Sequence, residues 1–443
     1  MTQRTPSVAQ QYAMSTDITG TPQSTHAAGG RFAPLARWRV NPERMAWMIL
    51  LISFALFVIL LIAVPLTVNY AVNHFTVAET AQLESTQGTL LLYPSVNAEP
   101  IAVTTQQTDA GEGSRILAAD DSTQGTVGLM QDEDSGELLG SVQLYPGTDL
   151  VLTRLRRPFF DRSKQPYQVQ IRLDKGQARI FTNSSDRRPL SVELITPQGV
   201  MELTSGSYNI AVDEEGADMT VRSGEAVFTD LTGARQIAVA GDGLWSTGDT
   251  SVVKVAITER NLIRNGDFTQ SMADSWRQYN IAPNVENGTV SIIERDGRRV
   301  AHFNRQGEEG VHTEVGIFQE LNEDVNVFDE LVIQLDVRLM YQSLAGAGYL
   351  NSEFPLRIEI EYVDIYGKEL RWGHGFYYRD PDDVTRSVPD SSKIPAYNWY
   401  TYQSPNLMDV LAETRPARIN SLRIYASGHN YQSMVSEIYL LAQ

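Results

Sequence analysis

The longest break in the polar–apolar pattern lies near the start of the chain. From Met45 to Ala78 there is no Asp, Glu, Lys or Arg, and residues 45–64 read Met-Ala-Trp-Met-Ile-Leu-Leu-Ile-Ser-Phe-Ala-Leu-Phe-Val-Ile-Leu-Leu-Ile-Ala-Val. At about 1.5 Å per residue, about 20 such residues cross the roughly 30 Å hydrocarbon layer of a bilayer. A core helix of this length would show a polar face, and this segment has none. The pattern predicts a transmembrane helix over 45–69, followed by a stalk over 70–86 that is helical across 76–86. Pro65 closes or kinks the helix near its far end, and Trp47 and Tyr70 stand where interfacial anchors belong.

Beyond the stalk the period changes. Short runs recur every 8–12 residues, broken by Gly, Asp, Asn and Ser; Gln168-Val-Gln-Ile-Arg-Leu, for example, alternates strictly. Alternation over such a run marks a strand with one buried face, and regular spacing of such runs marks an all-β fold built from hairpins. Gly176, Gly206 and Gly224 stand between runs, where tight turns are expected. Residues 1–44, rich in Thr, Ser, Gln, Ala and Gly, carry no apolar period and read as a disordered tail.

Charge gives the helix a direction. Arg37, Arg39 and Arg44 precede it, and no Lys or Arg follows until Arg115. The positive-inside rule places the tail in the cytoplasm and residues beyond about 70 outside. A polar leader of 44 residues and an apolar segment longer than the usual ~7–15 point to an uncleaved, single-pass signal-anchor. The whole chain carries −18 and the tail +3, leaving −21 for the rest. Such a surface excludes a nucleic-acid partner, because phosphate binding needs a basic face. There is no cysteine, so disulfides, thiol catalysis and Cys–metal sites are excluded. A large exported domain without disulfides fits the bacterial cytoplasmic membrane and cell envelope.

Two resemblances follow from particular residues. The run Tyr167-Gln-Val-Gln-Ile-Arg-Leu-Asp-Lys-Gly-Gln-Ala-Arg-Ile, then Val192-Glu-Leu-Ile-Thr-Pro-Gln-Gly-Val, Thr204-Ser-Gly-Ser-Tyr-Asn-Ile-Ala-Val and Met219-Thr-Val-Arg-Ser-Gly-Glu-Ala-Val-Phe is similar to FecR-type extracytoplasmic domains. The match is carried by about 140–245 and implies an antiparallel β domain over 87–258. Prototypical FecR proteins act through a cytoplasmic sigma factor, which is the alternative function this resemblance implies. Here the inner segment is only the 44-residue tail.

Asn261-Leu-Ile-Arg-Asn-Gly-Asp-Phe, with Trp276 following, resembles the opening of jelly-roll carbohydrate-binding modules of the family 4/9 type and of galactose-binding-like domains. It implies a jelly-roll β-sandwich over 259–443, closed by Ser436-Glu-Ile-Tyr-Leu. Such domains often hold a structural calcium near these two segments, which would fall to Asp267 and Glu437; Thr269 replaces the usual Glu.

Residues 370–402 concentrate eight aromatic side chains. Sugars pack C–H groups on aromatic faces and bond their hydroxyls to polar side chains. The candidate ligand-binding residues are therefore Trp372, Tyr377 and Tyr378, with Arg371 and Asp380 as polar partners, while Trp399 is assigned to the core. No nucleophile motif, phosphate loop or dinucleotide fingerprint is present. The resulting expectation is a non-catalytic, membrane-anchored surface protein that binds or scaffolds at the envelope, with a polysaccharide or an envelope protein as partner.

Overall fold

The protein, seen in a computed structural model, is described for residues 42–443 apart from 96, 105–107, 121, 132–137, 184–187, 250, 256–258, 282–286 and 384–386. Residues 1–41 and the expected domain boundary at 258/259 lie outside the described residues or at their edge. The apolar segment forms one helix, Pro42–His74, with no buried side chain. Its length and hydropathy suffice to cross a membrane.

Residues 76–86 are not a helical stalk. Thr76–Ala78 and Ala81–Gln87 are strands, and Ala81, Leu83 and Ser85 are buried at every second position. That period of two inserts the segment into a sheet, which outweighs its weak helical preference.

Among the described residues the rest of the chain is all-β around two large hydrophobic cores, one drawn from 81–252 and the other from 262–442, with a small third cluster of Val300, Trp399 and Met434. Strands from Thr76–Ala78 to Val253–Val255 close into a barrel. Its pairings are antiparallel, except that Tyr167–Thr182 runs parallel to Leu190–Thr196. Residues 167–182, expected as two strands about a Lys-Gly turn, form one strand of 16 residues. Gly176 is the point where this strand changes sheets: Lys175 pairs with Asp149, and Gly176 pairs with Val212. Its φ is +94°, and an added Cβ would lie 2.5 Å from Thr148 Cα. Only glycine meets both conditions cheaply.

The second core lies between two sheets. One is ordered Thr289–Arg295, Arg298–Arg305, Tyr431–Ala442, Leu331–Gln342, Tyr400–Gln403; the other Arg277–Ile281, Thr313–Asp324, Pro416–Gly428, Leu356–Asp364, Glu369–Tyr377, Ser391–Lys393. The Asn-Gly-Asp-Phe motif fastens the entry of this domain onto its last strand. Asn265 adopts φ 51°, accepts from Gln270 N at 3.0 Å and, through its carbonyl, from Trp276 Nε1 at 3.0 Å. Phe268 is fully buried with its ring 6.0 Å from that of Trp276. A Cβ on Gly266 would lie 2.0 Å from the Ile438 carbonyl oxygen.

Candidate functional site

The outward side of the five-stranded order does not face solvent. Gln334, Asp336, Thr401, Gln403, Glu437 and Tyr439 meet a polar face of the barrel. Arg179 Nη2 donates to Glu437 at 2.6 Å, and its Nη1 lies 3.6 Å from Asp336. Arg298 donates to Asp336 at 2.7 Å and to Ser141 Oγ at 3.2 Å. Its guanidinium also lies 3.8 Å from the Phe181 ring centroid and 4.6 Å from that of Trp399. All four charged side chains are at most 4% exposed. Two cations balance two anions, the arrangement that makes buried charge tolerable. Trp399, expected in the core, is 6% exposed and clusters with buried Val300 and Met434, its ring lying between Arg298 and Arg338 at this seam.

Covering one sheet leaves the outer face of the other free. Directly opposed residues of antiparallel strands share a face, so the register sets out its rows. Tyr279, Gly316, Tyr425, Arg357 and Gly375 form one; Phe318, Arg423, Glu359 and Gly373 the next; Glu320, Ser421, Glu361 and Arg371 a third. They border a groove of about 610 Å³ lined by Tyr279, Phe318, Glu361, Arg418, Asn420 and Arg423, among others.

The two aromatic rings stand edge to face, 6.2 Å apart. Gly316 has no Cβ, so the Tyr279 ring lies directly on its strand, where an added Cβ would come within 2.4 Å. The Tyr279 hydroxyl donates to Glu314 at 2.9 Å. Burial, reinforced by Glu314, pushes its pKa well above the ordinary tyrosine range. Arg423 donates to Glu359 at 2.6 Å; burial opposes its charge, but Glu359 outweighs burial and its pKa rises. Tyr425, raised by burial to about 12, also stays neutral. The face thus presents aromatic rings beside neutral tyrosine hydroxyls, a charged guanidinium and carboxylate acceptors, the chemistry that suits a polyhydroxylated ligand.

The residues expected to bind ligand do not form one site. Arg371 lies on the free face and donates to Glu361 at 2.8 Å. Tyr377 shares that side by alternation along Glu369–Tyr377, whose Phe376 is buried. Trp372 and Tyr378 pack against the core instead. Trp372 stacks with His374, and His374 with Tyr402 at 4.4 Å. The Tyr378 hydroxyl accepts from Gln342 N at 3.1 Å. Asp380 accepts from Lys393 at 2.6 Å.

Asp267 and Glu437, the residues expected to hold calcium, border one cavity and each accept hydrogen bonds from protein groups. Glu437 accepts from Arg179, Tyr439 and, at 3.4 Å, Ser207. Asp267 Oδ1 accepts from Thr269 N at 3.2 Å and Thr269 Oγ1 at 3.0 Å. Among the described residues no group of three or more His, Asp or Glu is placed to hold a metal ion. Tyr279, Phe318, Tyr425 and Arg423 were missed by sequence reasoning. They come from three strands far apart in the chain, and their only local signal is an alternation that every strand here shares.

No family profile and no curated protein sequence matches the chain. Among solved structures, a Parabacteroides distasonis protein described as an anti-sigma factor aligns at 17% identity over 32% of this chain and 59% of its own, with a TM-score of 0.24. The chain therefore spans less than two thirds of that protein. The family 11 carbohydrate-binding module of a Clostridium thermocellum cellulosomal cellulase aligns at 14% identity over 43% of this chain and 97% of its own, TM-score 0.26. The enzymatically active domain of bacteriophage CBA120 tailspike protein 4 aligns at 11% identity over 41% of this chain and 21% of its own, TM-score 0.25.

Proposed function

We propose that this is a single-pass, membrane-tethered binding protein of the bacterial envelope that holds a polysaccharide on the free face of its six-stranded sheet, without transforming it. The observation that carries the reading is the groove over Tyr279, Phe318 and Arg423. Stacking surface lies beside paired carboxylates and guanidinium groups that can bond sugar hydroxyls. The tether is the helix Pro42–His74, and the arginines before it favour an inner tail and outer β domains.

Glycan-array binding of the full chain in detergent micelles, beside Tyr279→Ala and Phe318→Ala variants, tests the site. Binding to at least one polysaccharide, lost in both variants, is expected. Absence of binding to every glycan, or binding unchanged in both variants, overturns it.

A further inference from the structure

A second cavity, of about 390 Å³, lies within the seam between barrel and sandwich. It is independent of the groove. From the barrel it is lined by Gln177, Asn209, Asp218 and Thr220, and from the sandwich by Gln334 and Gln403, with Arg179, Arg222 and Glu259 at its margins. A void of this size between domains is in the range of small-ligand sites.

The lining of the cavity is rich in side-chain amides and hydroxyls. Gln177 Nε2 donates to Asn209 Oδ1 at 3.0 Å, and Gln334 Nε2 reaches the Tyr145 hydroxyl at 3.5 Å. Thr220, Asn209 and the exposed Gln403 turn polar side chains toward the cavity, beside the half-buried Asp218.

The charges do not close. Arg179 and Arg298 answer Glu437 and Asp336. Arg222 answers Glu259 at 3.4 Å and lies on the Tyr439 ring. Asp218 is left over, and burial together with the nearby Glu259 charge raises its pKa. A half-buried carboxylate among side-chain amides and a hydroxyl matches a ligand that is polyhydroxylated and carries one cationic group.

We infer that the seam cavity is a binding site for an amino sugar of hexose size, its ammonium facing Asp218 and its hydroxyls meeting Asn209, Thr220, Gln334 and Gln403. A ligand that binds only the folded, joined domains raises the unfolding midpoint with concentration.

The test uses the full chain in micelles, titrated with glucosamine, glucose and N-acetylglucosamine and followed by thermal unfolding and calorimetry. Glucosamine is expected to bind and to raise the midpoint, with glucose and N-acetylglucosamine at least tenfold weaker. Asp218→Asn should erase that preference, Gln403→Ala should weaken binding, and Tyr279→Ala should leave it unchanged. Equal binding of glucosamine and glucose, a preference that survives Asp218→Asn, or no binding of glucosamine overturns the inference. Loss on Tyr279→Ala also overturns it, by placing the bound sugar in the groove.

Discussion

Removing the Arg179 guanidinium tests the seam most directly. In Arg179→Met a side chain of similar length and no charge replaces a donor 2.6 Å from Glu437. Glu437 keeps the Tyr439 hydroxyl and a longer contact to Ser207, but Arg298 alone then faces two buried carboxylates. Breaking one side of a buried pair costs about 3–5 kcal/mol, because the surviving charge stays desolvated and uncompensated. Glu437→Gln on its own strands Arg179 against Asp336 at 3.6 Å and should cost a similar amount. The double variant removes both charges and restores neutrality. It should therefore cost less than the two singles added together, with a coupling on the order of 2 kcal/mol. Urea unfolding of the full chain in micelles, followed by tryptophan fluorescence, reads the effect, and Trp399 sits against Arg298 as a local reporter. The single variants should also split unfolding into two transitions, as the barrel and sandwich lose their shared charges. Single costs below about 1 kcal/mol, or a double cost equal to the sum, would refute the reasoning.

Other outcomes follow from the same geometry. Trp372→Ala should lower stability by about 2–4 kcal/mol through lost core packing and leave glycan binding intact, whereas Tyr279→Ala should do the reverse; array binding beside thermal melts separates them. Gly266→Ala should destabilise the sandwich, since its Cβ has no room beside the Ile438 carbonyl, and a drop in unfolding midpoint reports it. Burial, helped by Arg357, lowers the His374 pKa to about 4. The unfolded chain then takes up a proton that the folded one refuses, so stability falls as pH drops from about 6.5 to 4; His374→Phe should flatten that slope in pH-dependent melts. Protease added outside intact cells should digest residues beyond 75, and protection of that part would reverse the assigned topology.

Much of the architecture was legible because it rests on local periods. The helix announces itself by 34 consecutive residues without an ionisable Asp, Glu, Lys or Arg side chain, Met45 to Ala78, and the strands by alternation. The entry motif was legible because Asn265, Gly266, Phe268 and Trp276 meet within a dozen positions. The proposed binding face was not, since its phase is set by contacts across the sheet. The aromatic density of 370–402 drew attention to Trp372 and Tyr378, but Phe376 turns inward and takes Trp372 with it. The seam was hidden for a different reason. Arg179, Asp336 and Glu437 occupy the polar phase of alternating strands, which reads as solvent-facing. They are buried because a second sheet covers them, and nothing local in the sequence encodes that cover.

The short strand Thr76–Ala78 has a mechanical meaning. It follows the helix directly and joins the barrel through three residue pairs with Asp149–Pro158, and none of its side chains is buried. Asp149–Pro158 in turn pairs with Tyr167–Thr182, which carries Arg179 and so reaches the sandwich through Glu437. A pull between the groove and the anchor therefore runs through a stiff, multiply bonded body and one weak ladder beside the helix. That ladder, together with the Glu79–Arg157 ion pair beside it, is expected to yield first. Peeling residues 76–80 releases roughly 17 Å of chain at about 3.4 Å per residue before either core is loaded. The chain thus carries a built-in length of slack between its apolar helix and the rest of the β structure.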